Sequence, residues 1–215
     1  MSNISNESNV SNGPLRDNWS DFYNAVEHRP PHDTLLRALA RFDGGPERQR
    51  FAIDLGCGSG RDTREMLRRG WQVLAIDREA EGLTRLMARV PAEQHDRLQT
   101  RAAAFEDLQT LPPCDFVNAS FSLPFCTPAY FETLWAMIVA AIQPRGRFAG
   151  TFFGPHDGWA NEPMMTFHTQ AQVEGLLVPF KVEQLLEEDR DGSTALGNAK
   201  HWHTFQVVAF KPARP

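Results

Sequence analysis

Between residues 54 and 60 the chain reads Asp54-Leu55-Gly56-Cys57-Gly58-Ser59-Gly60, directly after an apolar run from Phe51 and directly before a segment of helical period. Glycines at alternate positions free the backbone for positive φ and for close approach to a ligand, because no Cβ intervenes. A strand, a glycine turn and a helix open a βαβ unit, and that turn faces a ligand at the carboxyl ends of the parallel strands. Which ligand is decided by what is missing. A dinucleotide fingerprint requires glycine where Arg61 stands, and a phosphate-cradling loop requires Lys before Ser or Thr, which is absent. A second acid, Asp77, ends the next apolar run. Its carboxylate has lone pairs on both oxygens and suits the two hydroxyls of a ribose. Asp54 and Asp77 are also compatible with a cationic ligand, and a helix cap is the plainer role open to Asp77.

Around this turn, strand-like runs alternate with amphipathic segments, the pattern of a parallel sheet. Strands are expected at Phe51 to Leu55, Trp71 to Ile76, Leu98 to Ala103, Asp115 to Ala119 and Arg147 to Phe153. Helices are expected over Asp62 to Arg69, closed by Gly70, around Leu83, Leu86, Met87 and Val90, and from Thr127-Pro128 to Ile142, where Pro144 stops the chain. Ahead of the first strand, Trp19, Phe22 and Tyr23 mark a short helix to Val26, and Arg29-Pro30-Pro31 redirects the chain. Asp33 caps a helix carrying Leu35, Leu36 and Leu39 that ends near Gly44-Gly45-Pro46. Thr169 and Gln172 form a capping box for a helix to Leu177. Two strands close the sequence, Lys181 to Glu188 and Trp202 to Phe210, joined by a polar loop from Asp189 to Lys200. Residues 1–14, rich in Ser and Asn, read as a disordered tail, and residues 15–215 as one domain.

Composition narrows the partners. A net charge of −5 disfavours nucleic acid. Cys57, Cys114 and Cys126 form neither a disulfide framework nor a metal-binding pair, which suits a reducing compartment. With no apolar stretch of membrane-spanning length and no signal-peptide pattern, a cytoplasmic location without membrane contact is expected.

The glycine turn and Asp77 resemble motif I and the acidic motif II of class I S-adenosylmethionine-dependent methyltransferases, closely over residues 51–153. The aromatic segment and Arg29-Pro30-Pro31 ahead of the first strand are similar to the layout of the small-molecule members related to tellurite-resistance and thiopurine enzymes. The resemblance implies a single Rossmann-like α/β domain. Its seven-stranded, mostly parallel sheet has order 3-2-1-4-5-7-6, with strand 7 antiparallel and helices on both faces. It implies S-adenosylmethionine as cofactor and methyl transfer to an O, N or S atom of a small molecule. Gly56, Cys57, Gly58 and Gly60 then lie against the methionine and ribose, and Asp77 binds the ribose hydroxyls. Phe105 and Glu106 lie beside the adenine, Arg78 is a further cofactor-binding residue, and Asn118 and Ser120 take the place of motif IV. The motif departs from the family at Ala103 and Ala104, where many members carry an Asp.

Asp54 and Arg29 complete the expected cofactor set, Arg29 through its fork of donors for the cofactor carboxylate or an anionic acceptor, against the plainer reading of a solvated Arg beside an amphipathic helix. Cys57 is otherwise a small structural residue. For a protonated acceptor, His168 and His201 are the candidate bases, against the plainer reading of packed or solvated histidines. No metal is expected, because His168, His201 and His203 have no acidic partner evident in the sequence. Phe121, Phe125, Trp159 and Trp202 are expected to line an aromatic acceptor cleft, with Trp19 and Tyr23 as a lid. The alternatives are a non-catalytic S-adenosylmethionine-binding protein, a protein methyltransferase and a nicotinamide-dependent oxidoreductase. Monomer and homodimer both remain open.

Overall fold

The computed structural model describes residues 19–42 and 49–213. The expected tail at 1–14 and the helix end near Gly44-Gly45-Pro46 lie outside these residues. Two short helices, α1 (Trp19–Val26) and α2 (Asp33–Ala40), precede β1 (Phe51–Leu55) and α3 (Arg61–Arg68). Then follow β2 (Gln72–Asp77), α4 (Ala80–Arg89), β3 (Leu98–Ala102), β4 (Cys114–Ala119), α5 (Pro128–Ala141) and β5 (Ile142–Phe153). The chain closes with α6 (Gln170–Leu176), β6 (Lys181–Ser193) and β7 (Ala199–Phe210).

The seven strands form one sheet of order β3-β2-β1-β4-β5-β7-β6, as the resemblance implies. Strands β1 to β5 pair in parallel, and β7 runs antiparallel to both β5 and β6. The pleat sends alternate side chains to opposite faces, and each face is covered by helices. On one face Ala52, Val73, Ala75 and Phe116 pack with Leu39 of α2, Met66 and Leu67 of α3 and Leu86 of α4. On the other, Ile53, Ile76, Val117 and Phe152 pack with Phe131, Leu134 and Trp135 of α5 and Val173 of α6. Helix α6 starts on the expected capping box. Thr169 Oγ1 accepts the Gln172 N–H at 3.3 Å, and Gln172 Oε1 accepts the Thr169 N–H at 2.8 Å.

Two boundaries differ from expectation. β5 begins at Ile142, which pairs with Cys114, and a bulge carrying Pro144 and Arg145 (φ 70°) precedes the regular ladder from Arg147. The sequence places a turn there, and the bulge absorbs the same residues without leaving the sheet. The polar segment from Asp189 to Lys200, expected as a loop, is mostly strand: the β6–β7 ladder continues from Asp189↔His203 to Ser193↔Ala199. This hairpin projects past the core, so its residues carry no apolar signal.

Candidate functional site

All five parallel strands end at one edge, and the turns that leave them there wall a cavity of about 450 Å³. The glycine turn forms its floor. Gly56, Gly58 and Gly60 have φ of 68°, 54° and 83°, values that favour glycine. A Cβ at Gly56 would lie 2.3 Å from Ser122 Cβ, so the β1 and β4 turns touch only because residue 56 lacks a side chain. Combining left-handed strain with overpacking, Gly56→Ala is expected to destabilise the fold by about 2–4 kcal/mol, read as a lower urea midpoint at unchanged m.

Asp77, at the end of β2, lines the cavity and is only 9% exposed. Its Oδ2 accepts the Gly58 N–H at 2.7 Å and its Oδ1 the Glu79 N–H at 2.9 Å. It thus joins the glycine turn to the entry of α4 without capping the helix, whose N-cap is Glu79. Two further lone-pair positions of the carboxylate are left over. Burial raises the pKa of this carboxyl, and the two backbone N–H groups counter the rise.

Arg29, Gly56, Cys57, Gly58, Arg78, Phe105, Glu106 and Ser120 also line the cavity. Asp54, Gly60 and Asn118 do not. Asp54 is buried beneath the floor, accepting from Thr63 Oγ1 at 2.5 Å and from Asn118 Nδ2 at 2.8 Å. Asn118 Nδ2 also donates to Asp62 Oδ2 at 3.0 Å. Burial and the Asp62 charge raise the Asp54 carboxyl above the ordinary carboxylate range. These side chains tie β1, α3 and β4 together under the site. Gly60 precedes α3, and its open side is filled by Leu86.

The network surfaces at a residue the sequence reading missed. Asp62 Oδ2 lies 3.0 Å from His32 Nδ1, and its Oδ1 accepts the His32 N–H at 3.0 Å. Arg61 Nη1 lies 3.0 Å from His32 Nε2, and its Nε donates to the Pro30 carbonyl. Arg29, His32 and Arg61 thereby form a basic corner of the cavity. The signal available in the sequence was the acid following the motif, Asp62, which caps nothing and reaches back instead.

The opposite half is aromatic, with Phe121, Phe125, Phe153, Trp159 and Trp202 on its walls. Phe121 holds φ 54°, a conformation unusual outside glycine, and its ring lies 5.3 Å from His32 and 6.0 Å from Trp202. Trp19 closes the side, 5.7 Å from Phe125, while α1 is tied to α4 by Arg85, which donates to Asn24 Oδ1 at 2.7 Å and Ser20 Oγ at 2.9 Å. Behind the aromatic wall Lys200 Nζ donates to both Asp157 oxygens at 2.6 Å. The same ammonium lies 3.6, 4.2 and 4.8 Å from the ring centres of Trp202, Trp159 and Phe153. This buried pair fixes the wall from outside the cavity.

Neither candidate base lines the cavity. His168 is packed between Phe131 (4.4 Å) and Phe152 (5.5 Å), and burial lowers its pKa to about 4. His201 is held by Asp191 (2.7 Å) and Asp189 (2.6 Å), and both carboxylates raise its pKa. The reason is strand period: Trp202 faces the cavity, so its neighbours His201 and His203 face away.

A sheet of this order, with a glycine turn after β1 and an acid ending β2, defines the Rossmann-like methyltransferase class. Residues 52–146 match the family model described as a methyltransferase domain, and the sheet around them has the strand order of the Rossmann-like methyltransferase fold. Among solved structures it is similar to TehB from Haemophilus influenzae, with TM-score 0.71 and 14% identity over 88% of this chain. It spans 65% of that protein's length. The N-methyltransferase NodS from Bradyrhizobium japonicum, in complex with S-adenosylhomocysteine, gives TM-score 0.63 and 14% identity over 93% of this chain and 91% of that one. The Burkholderia thailandensis 1,6-didemethyltoxoflavin-N1-methyltransferase gives TM-score 0.61 and 24% identity over 91% and 87%. At these identities the likeness carries the fold alone. No curated protein sequence matches the chain. Among the described residues no helix is long and apolar enough to cross a membrane.

Proposed function

We propose that the cavity takes S-adenosylmethionine along the glycine turn and a small flat molecule in its aromatic half, and that the methyl group passes to an O, N or S atom of that molecule. The observation that carries this reading is continuity: one cavity runs from Asp77 and the glycine turn to Trp159 and Trp202. The residues fit the cofactor. Asp77 has two unused lone-pair positions for a ribose diol. Arg78, Phe105 and Glu106, with the small Ala103 and Ala104, leave a slot for adenine. The basic corner of Arg29, His32 and Arg61 suits the methionine carboxylate, with Asp62 orienting His32 and His32 orienting Arg61. Gly56, Cys57 and Gly58 present backbone between these two ends.

S-adenosylmethionine supplies a methyl group already made electrophilic by its sulfonium. The protein's work is then to hold the acceptor in line and to exclude water. Phe121 and Ser120, at the β4 turn where the two halves of the cavity meet, would position the acceptor, and the aromatic wall would keep that half dry. Proton removal through His168 or His201 finds no support in their placement, and an acceptor nucleophilic without a base suits this site. A relative that binds 1,6-didemethyltoxoflavin with S-adenosylhomocysteine supports a flat heterocyclic acceptor.

The test is incubation with methyl-labelled S-adenosylmethionine and a panel of flat aromatic amines, phenols and thiols, beside a protein extract. Label in the small-molecule fraction is expected. Label in protein would favour a protein methyltransferase, cofactor binding without transfer to either would favour a sensor, and binding of a nicotinamide dinucleotide alone would favour an oxidoreductase.

A further inference from the structure

The face of the β6–β7 hairpin turned away from the cavity carries a second cluster of chemistry-bearing side chains. Asp189 and His203 are directly opposed in the ladder, and His156 reaches them from the segment after β5. His156 Nδ1 lies 2.8 Å from Asp189 Oδ2, and the His156 and His203 rings stack at 4.7 Å with an interplanar angle of 24°. One ligand atom from each of the three falls within 4.8 Å of the other two. Asp189 thus supplies the acid that the sequence reading did not find. His203 is 3% exposed and forms the floor, whereas the His156 and Asp189 side chains, 66% and 38% exposed, leave the site open to solvent.

We propose that His156, Asp189 and His203 bind a divalent transition ion of the zinc, nickel or cobalt class. Two imidazoles and one carboxylate match the donor preference of these ions, and the set is poor for magnesium or calcium, which take oxygen almost exclusively. Further groups stand behind the three. Glu187 Oε1 lies 2.9 Å from His203 Nε2, His203 Nδ1 accepts the His156 N–H at 3.1 Å, and His201 Nε2 lies 2.6 Å from Asp189 Oδ1, so the carboxylate is oriented from outside and the ion enters by displacing one hydrogen bond of the buried ring. Three protein ligands leave room for water as the fourth. The ion would fasten the segment bearing His156 and Trp159 to the strands bearing Arg190 and Trp202, and so stiffen the aromatic wall from its rear. It takes no part in methyl transfer, and the site stands whether or not the acceptor half is read correctly.

The experiment uses untagged full-length protein stripped with a chelator and titrated with Zn²⁺ against a chromophoric competitor, and in parallel with Co²⁺. Expected are one ion per chain with micromolar affinity, visible d–d absorption on adding Co²⁺, and a melting temperature raised by a few degrees. His156→Ala and Asp189→Asn should each weaken binding about tenfold or more. His95→Ala, at a remote histidine, should not. Both replaced side chains are exposed, and melting of the metal-free variants verifies that they fold. Absence of saturable one-to-one binding, or equal affinity in the His156 and Asp189 variants, would overturn the proposal.

Discussion

Asp77→Ala is expected to weaken S-adenosylmethionine binding by about a hundredfold or more in calorimetric titration. Hydrogen bonds to an ionised group are worth about 1.5–3 kcal/mol each, so losing two to a ribose diol costs about 3 kcal/mol at the low end, which is roughly that factor. The substitution also removes the acceptor for the Gly58 and Glu79 N–H groups and loosens the turn. Asp77→Asn separates the two effects, because its amide oxygen can retain one backbone bond while half of its diol contact becomes a donor. Its affinity should fall between those of wild type and Asp77→Ala. Unchanged affinity in Asp77→Ala would remove Asp77 from the cofactor site and leave it only the role of holding the glycine turn to the entry of α4.

The second large effect concerns acid stability. His168 is buried against Phe131 and Phe152, and its Nδ1 has no hydrogen-bond partner. Its folded pKa is about 4, below the ordinary value of 6.5. A depressed histidine favours the folded state while neutral. The contribution is fully present above pH 6.5 and is lost progressively as pH falls toward 4, amounting to about 3 kcal/mol. Denaturant midpoints measured across that window should therefore fall steeply for the wild type and more gently for His168→Phe, whatever the variant's stability at pH 7. Parallel pH profiles would show that His168 does not titrate in this way.

The sequence was most legible where local chemistry and global fold impose the same demand. The glycine turn, Asp77 and the alternation of apolar runs gave the strands, the helices between them and the floor of the cavity, because each requirement acts over a few neighbouring residues, while the strand order came from the family resemblance. Legibility failed where a side chain answers to something distant. Asp54 and Asn118 match motif positions, yet both are spent joining β1, α3 and β4 below the floor. His32 became part of the cavity through Asp62, thirty positions along the chain. His168 sat near the expected cleft in sequence, but the segment after β5 turns it inward. His201 and Trp202 were both expected in the cleft, although the pleat excludes having both. That conflict was visible in the sequence and could have been resolved there.

The hairpin has a consequence for how this chain can vary. Its positions alternate between the aromatic cavity, at Glu188, Arg190, Trp202 and Thr204, and the histidine-rich outer face, at Glu187, Asp189, His201 and His203. The lining of the cavity can therefore drift by replacement at every second residue without disturbing the other face. Length is far less free. Inserting one residue in either strand exchanges the two faces beyond that point, pointing acids and imidazoles into the cavity and tryptophan into water. Descendants of this chain should gain or lose hairpin residues in even numbers, or at the turn around Gly197, where the parity is reset.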